Sequence, residues 1–141
     1  MTMTFASTRP APRAFLGKGL AFPLSVTRQG RLAVASGEAK VEQSIWLILS
    51  TALGERVMRP ALGCAAHNEL FGPASSATVV RIVDQVRRCL TEQEPRIAVL
   101  DVTAELPTSD RNVLLIRIDY RLRSNNAMTN LVYPFFIREG V

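Results

Sequence analysis

"VLLIRIDYRLR", residues 113–123, decides the fold. In an extended chain Leu114, Ile116, Ile118, Tyr120 and Leu122 fall on one side, and Arg117, Asp119, Arg121 and Arg123 fall on the other. Such strict alternation makes one apolar face and one wet face, as in an antiparallel sheet packed on a core from one side only. The same residues on a helix would be scattered around its circumference.

Two further strands flank this one. In "IAVLDVTAEL" (97–106) the spacing puts Ala98, Leu100, Val102, Ala104 and Leu106 on a shared face. On the other side "SNNAM" is a tight connection to a last strand near 129–137. Pro134 cannot donate to a ladder, so that strand is expected to lie at an edge of the sheet or to have a broken edge.

Upstream, in "LTEQEPRIAV" (90–99), a helical period stops and a β-period starts. The helix runs from about Ser75 to Thr91, with Val79, Ile82, Val83, Val86 and Leu90 as its apolar stripe and Arg81, Asp84, Arg87 and Arg88 largely off it. Pro95 cannot continue that helix and pushes Glu94 toward an extended conformation. An earlier helix has Ser36 as its cap, Glu38 in its first turn and Gly54 at its end. Its stripe is Val41, Ile45, Ile48, Leu49 and Ala52, with Trp46 beside it and half exposed.

Between the helices lies "GERVMRPALGCAAHNELFGP" (54–73), loop-like apart from a helical turn near 65–70. So long an irregular segment is either functional or tied down by its own packing, and Met58, Leu62, Leu70 and Phe71 are expected to anchor it. "FPLSVTRQGRLAVA" (22–35) predicts two short strands around a Gln29-Gly30 turn. "MTMTFASTRPAPRA" (1–14) has no period and predicts a flexible arm ahead of a single domain, 15–141. The fold class is α+β: two main helices packed on a mainly antiparallel sheet built from an N-terminal hairpin and a C-terminal three-stranded meander.

The 141 residues are enough for one packed core. The net charge of +5 resides in residues 1–37, where Arg9, Arg13, Lys18, Arg28 and Arg31 meet no acid. Without interleaved aromatics this is a weak nucleic-acid signature, and a solvated or protein-docking arm fits it better. No apolar run approaches the roughly 20 residues of a membrane span. The stretch after Arg13 is broken by Gly17, Lys18 and Gly19, unlike a secretory signal.

Chemistry is sparsely represented. Cys64 and Cys89 share no metal-ligand spacing with His67, the single histidine, and read as reduced, partly buried thiols. No nucleophile elbow accompanies His67, and "GKG" (17–19) lacks a phosphate-loop frame. A glycosidase would need two carboxylates, with Glu38, Glu42, Glu55, Glu69 and Glu94 as candidates. An arginine one or two positions away, Arg56 or Arg96, would keep Glu55 or Glu94 ionised, the wrong state for a general acid. No catalytic, metal or cofactor residue is assigned. Glu94 and Arg96 remain either a surface ion pair at a turn or a docking point.

The motifs "GERVMRPALG", "LFGP" and "EPRI", in that order, resemble the baseplate wedge and sheath-initiator family of contractile phage tails, type VI secretion systems and extracellular contractile injection particles. "FLGKGLAFPL", "VEQSIWLILSTALGER" and "NLVYPFFI" extend the resemblance over residues 15–137. Two departures are Leu62, where the family often has Phe, and Gly72, where an acidic residue is common.

The resemblance implies a non-enzymatic, sixfold baseplate component that surrounds the tube and starts sheath assembly. Carried over, Glu94, Pro95 and Arg96 dock on the core bundle of the wedge proteins. The strands at 113–123 and 129–137 template the first sheath ring by strand addition, at Arg117, Asp119, Arg121, Arg123, Leu131, Tyr133 and Phe135. Gly54, Glu55, Arg56, Pro60, Gly63, Phe71 and Pro73 structure the loop. Partners are wedge proteins, sheath, and tube or hub proteins, with no nucleic acid, membrane span, metal or cofactor. The chain is made in the bacterial cytoplasm and becomes part of the particle. Members of this family were once labelled lysozymes, so a peptidoglycan hydrolase is the alternative, and a basic-arm nucleic-acid binder is the second.

Overall fold

The computed structural model describes residues 16–70, 72, 75–109 and 112–137. The arm at 1–14, with Phe71 and Pro73, lies outside them. The chain divides into two compact units, Met1–Gln43 and Ser44–Val141. It is a mixed α+β fold with one two-stranded and one three-stranded antiparallel sheet.

In the first unit, β1 (Lys18–Leu20) pairs with β2 (Val34–Ser36). The hairpin narrows through Ala21–Ala33 and Val26–Leu32 pairings to a turn in which Gly30 N donates to the Thr27 carbonyl. The predicted Gln29-Gly30 turn is present, but the regular pairing joins Lys18–Leu20, outside 22–35, to Val34–Ser36 at its end. The hairpin is held to α1 (Glu38–Ser50) by Lys40 Nζ on the Leu20 carbonyl and by Phe22 N on Gln43 Oε1.

The expected Ser36 cap is replaced by Gly37. Ser36 is paired in β2, whereas the Gly37 carbonyl accepts from Lys40 and Val41, with Gly37 at φ +64°. A residue turning from strand to helix in the left-handed region is best served by glycine. The other end also differs, since α1 stops at Ser50 and not at Gly54. Thr51 Oγ1 donates to the Leu47 carbonyl, and the Thr51 carbonyl accepts from Cys64 N across an Ala52–Cys64 bridge. His67 Nε2–H donates to the Leu49 carbonyl at 2.7 Å. Carbonyls left over at the helix end are thus satisfied by the loop that follows.

The second unit carries the larger core. Its short helix α2 (Ala66–Glu69) is the turn expected near 65–70. Helix α3 (Ser76–Gln93) is capped by Ser75, whose Oγ accepts from Thr78 N. It buries Ile82, Val86, Cys89 and Leu90, with Val79 and Val83 half-buried. Strands β3 (Ile97–Glu105), β4 (Val113–Leu122) and β5 (Met128–Phe136) form a meander in the order β3-β4-β5. All five predicted inward residues of β4 are buried.

Strand β3 departs from its predicted alternation. A register shift between Val99 and Asp101 makes Leu100 a bulge, so Leu100 is exposed and Ile97, not Ala98, enters the core. An inserted residue reverses the parity of everything on one side of it. At the far edge, β5 directs Leu131, Tyr133 and Phe135 inward. Their rings join a series of edge-to-face contacts: Trp46–Tyr133 at 4.6 Å, Tyr133–Phe135 at 4.8 Å and Phe135–His67 at 5.3 Å.

The segment from Thr51 to Cys64 is held mainly by its own backbone. Gly54 N donates to the Pro60 carbonyl, and the Glu55 carboxylate accepts from Ala52 N. Gly63 is clamped to Gln93, its N–H on Oε1 at 2.9 Å and its carbonyl receiving Nε2 at 2.6 Å. Met58 does not anchor the loop: it is 93% exposed at a turn with φ +64°. Hydrogen bonds close this loop where side-chain burial was expected, although Leu70 is buried as predicted.

Gly63 has φ +125°, and a Cβ there would sit 2.5 Å from the Thr51 carbonyl oxygen. Gly63→Ala is therefore expected to lower unfolding free energy by about 2–4 kcal/mol, measured by urea denaturation.

Candidate functional site: the Glu-Pro-Arg turn and the sheet edge

Helix α3 ends because Pro95 has no N–H to give it, and Glu94 takes up φ −121°, ψ 85°. Glu94 N still reaches the Leu90 carbonyl, so the carboxylate is aimed by the last turn of helix. Two residues on, Arg96 lies at the entry to β3, where its carbonyl accepts from Arg123 N. Proline thus places a carboxylate and a guanidinium on either side of one rigid corner.

The two groups meet. Arg96 Nε donates to Glu94 Oε1 and a terminal nitrogen donates to Oε2, both at 2.6 Å. The same terminal nitrogen reaches Ser44 Oγ on α1 at 2.9 Å. Glu94 is only 2% exposed, while the Arg96 side chain is 26% exposed and Pro95 is open to solvent. Hydrogen bonding to Glu94 raises the Arg96 pKa above its ordinary value, against the opposing effect of burial. The planar fork matches a carboxylate in a way that a lysine could not.

Of the three docking candidates, a partner can reach Pro95 and part of Arg96. Glu94 is covered by its own chain and bonded to Arg96. Ser44 is the member that sequence reasoning missed. It is an ordinary polar residue on the flank of an amphipathic helix, 52 positions away from the arginine it receives.

The second feature is the open edge. Strand β4 is paired on both sides, so Arg117, Asp119 and Arg121 cannot receive another strand. Arg123 is likewise engaged, through its backbone with Arg96 and through Nε with the Ile97 carbonyl. The strand-addition role expected at these four positions is corrected by topology: they lie on or beside the central strand.

The sheet has two edges, β3 on one side and β5 on the other, and β5 is the one formed by a predicted template strand. Ile137 N donates to the Asn112 carbonyl, and the Ala127 carbonyl accepts from Leu122 N. By alternation the odd-numbered residues of β5 turn their backbone toward β4, and Met128, Asn130, Val132, Pro134 and Phe136 turn theirs outward. Pro134 therefore lacks its N–H on the open side, where no internal bond is lost. Leu131, Tyr133 and Phe135 have side chains committed to the core, and they hold the strand without lining its edge. Met128, Val132 and Phe136 stand exposed on the opposite face.

The other predicted loop residues are structural in position. Gly54, Glu55, Pro60 and Gly63 take part in the backbone closure described above, and Arg56 is exposed with its carbonyl accepting from Arg59 N. Gln93, which fixes Gly63, carried no signal in the sequence.

The family profile for baseplate wedge protein gp25 matches residues 35–127, which include the whole turn. The chain belongs to this family. A Geobacter sulfurreducens protein, provisionally named a tail lysozyme, is 42% identical, with a TM-score of 0.72 over 79% of this chain and 100% of its own. A chain of the sixfold-symmetrised anti-feeding prophage baseplate is 20% identical, with a TM-score of 0.64 over 89% of each chain. One from the postcontracted baseplate of pyocin R2 is 25% identical, with a TM-score of 0.50 over 80% of this chain and 97% of its own. The search of curated proteins returns no match. The wedge protein shares its fold with chains of contractile-particle baseplates, and no helix among its described residues is long and apolar enough to cross a membrane.

Neutralising one member of the turn should cost more than neutralising two. Arg96→Met strands a buried carboxylate and is expected to lose roughly 3 kcal/mol or more. Glu94→Gln should lose about 1–3 kcal/mol and Ser44→Ala about 1 kcal/mol. The double variant Glu94→Gln/Arg96→Met should recover part of the Arg96→Met loss, as read from a double-mutant cycle in urea.

Proposed function

We propose that this wedge protein is a non-enzymatic assembly component, docking on neighbouring wedge proteins through Pro95 and Arg96 and offering the β5 edge to an extended segment of the first sheath ring. The observation that carries the reading is the family match across residues 35–127, joined to a corner that presents a preoriented guanidinium. Glu94 fixes the plane of that guanidinium, so docking loses little side-chain entropy. Its partner would be a carboxylate or the carbonyl end of a helix in a core bundle. At the sheet edge, outward N–H and C=O groups give main-chain affinity, while Met128, Val132 and Phe136 add apolar contact beside it.

The hairpin supports an assembled state as well. It exposes Leu20, Phe22, Leu24, Val26, Leu32 and Val34, more apolar surface than a small unit ordinarily leaves to water. Copies of the chain arranged with sixfold symmetry around a tube, in contact with tube or hub proteins, would have neighbours to cover it.

The wall-hydrolase alternative rests on the name given to the Geobacter protein. In the present chain Glu55 accepts from a backbone N–H, Glu69 meets Arg81 at 3.2 Å and Glu94 is held by Arg96. Each of these carboxylates is already engaged within the chain, whereas a glycosidase needs an acid free to give its proton to a leaving group.

Two variants made in the producing cell test the two surfaces separately. Glu94→Gln/Arg96→Gln removes both charges without leaving either buried alone, and is expected to abolish baseplate assembly while the purified chain keeps its circular dichroism spectrum. Normal particle numbers in electron micrographs would sink the docking role. Asn130→Pro deletes an outward N–H and no internal ladder bond, so the chain should fold and baseplates should form without sheath. Full-length sheathed particles from this variant would remove β5 as the template.

A further inference from the structure

The loop after α1 carries a conformational anomaly that neither the core nor the docking corner uses. Arg59 N donates to the Arg56 carbonyl at 3.3 Å, closing a turn over Arg56, Val57, Met58 and Arg59. Met58 occupies the third position of that turn with φ +64°, where glycine or asparagine is the usual residue. A methionine in this conformation carries backbone strain, and its side chain gains nothing in return within the chain. Met58 is 93% exposed and Val57 is 91% exposed.

The turn is nonetheless firmly held. Gly54 N donates to the Pro60 carbonyl at 3.0 Å, and Glu55 Oε2 accepts from Ala52 N at 2.9 Å. The Gly63–Gln93 clamp ties the base of the loop to α3 directly ahead of the Glu-Pro-Arg corner. Two apolar side chains are therefore presented at a fixed point, with little ordering left to do on contact. Beside Met58 is a surface hollow of about 350 Å³, lined also by Arg59, Pro60, Ala61, Leu62 and Gln93.

Charge selects what fits this tip. Arg56 and Arg59 flank it, both exposed, and neither side chain meets a carboxylate among the described residues. The acid of the turn, Glu55, is occupied by Ala52 N. Residues 1–14 hold Arg9 and Arg13 and no acid, and the whole chain stands at +5, so charge disfavours both that segment and a second copy as the cover.

We propose that Val57 and Met58 form a knob that enters an apolar pocket edged by carboxylates on a neighbouring protein of the assembled particle. Arg56 and Arg59 pair with that edge, and the hollow beside Met58 receives a side chain in return. The inference rests on the assembly role above and adds a contact separate from the corner and the β5 edge. Apolar burial at the knob supplies affinity, and the two arginines choose the partner.

Met58→Gly separates this role from a structural one, because glycine relieves the turn while deleting the knob. The purified variant should show an unchanged or higher urea midpoint, yet producing cells should yield about tenfold fewer particles. Arg56→Glu/Arg59→Glu should keep its midpoint and lose particles to the same degree. With p-benzoylphenylalanine in place of Val57, irradiated cells should give an adduct to a segment of another particle protein that holds both apolar and acidic residues. A lowered midpoint in Met58→Gly, or normal particle numbers from either variant, would overturn the proposal. So would an adduct to residues 1–14, to a second copy or to a segment without acids, or no adduct. Glu94→Gln/Arg96→Gln is counted alongside: if that variant alone loses particles, only the knob falls, whereas normal numbers from all three also remove the assembly reading.

Discussion

A carboxyl group shut away from water needs donors to replace the hydration it has lost, and Glu94 is in that position. Both of its oxygens are taken by one guanidinium, which also reaches Ser44. This contact fixes three elements at once: the end of α3, the start of β3 and the flank of α1. Because Pro95 sets the backbone between the two charges, the pair does not hold a loose loop in place; it records a geometry already imposed by the chain. The corner that results is stiff and carries a partly exposed cation at its tip. Rigidity of this kind lets a small contact area serve as a docking point, since little ordering remains to be done when a partner arrives.

The sheet edge depends on a different constraint. An edge strand with unpaired backbone is an aggregation hazard, and folded proteins usually blunt it. Strand β5 is blunted once, by Pro134, and is otherwise held in register by aromatic side chains on its inner face. The contacts from Trp46 through Tyr133 and Phe135 to His67 anchor the strand from behind while leaving its outer backbone untouched. Its outward row of Met128, Val132 and Phe136 would be costly to keep in water for no return. A protein that works inside a larger object escapes that cost once it is assembled.

Much of this could be read from residue order. The alternation in 113–123 placed the central strand, proline located both the helix stop and the edge strand, and Ser75 marked the start of α3. What escaped was whatever depends on tertiary partners. Nothing local distinguishes Gly37 from Ser36 as the cap until β2 is known to claim Ser36. The bulge at Leu100 is invisible because Ala98, Leu100, Val102, Ala104 and Leu106 alternate without a break, and nothing in the residue order marks the register shift. Met58 looked like an anchor on hydrophobicity alone, yet the loop closes through Gly54–Pro60 and Gly63–Gln93 hydrogen bonds that no side-chain pattern encodes. Within the site, the proline-flanked charges were legible, but Ser44 was not, because a distant hydroxyl has no signature. Assigning β4 to strand addition failed because side-chain pattern reports which face is wet and says nothing about which backbone is unpaired.

The same physics bears on whether a contractile-machine fold can double as a wall-degrading enzyme. Acid catalysis on a sugar needs a carboxylic acid that keeps its proton near neutral pH, which follows from an apolar surround or a neighbouring carboxylate. Glu94 is buried, but both of its oxygens are closed by hydrogen bonds from Arg96, and the terminal nitrogen of Arg96 is itself held by Ser44. To become a general acid Glu94 would have to lose Arg96, and with it the contact that holds the corner in shape. A free acid and a fixed corner therefore make opposite demands on the same carboxylate, and the geometry around it is that of a fixed corner.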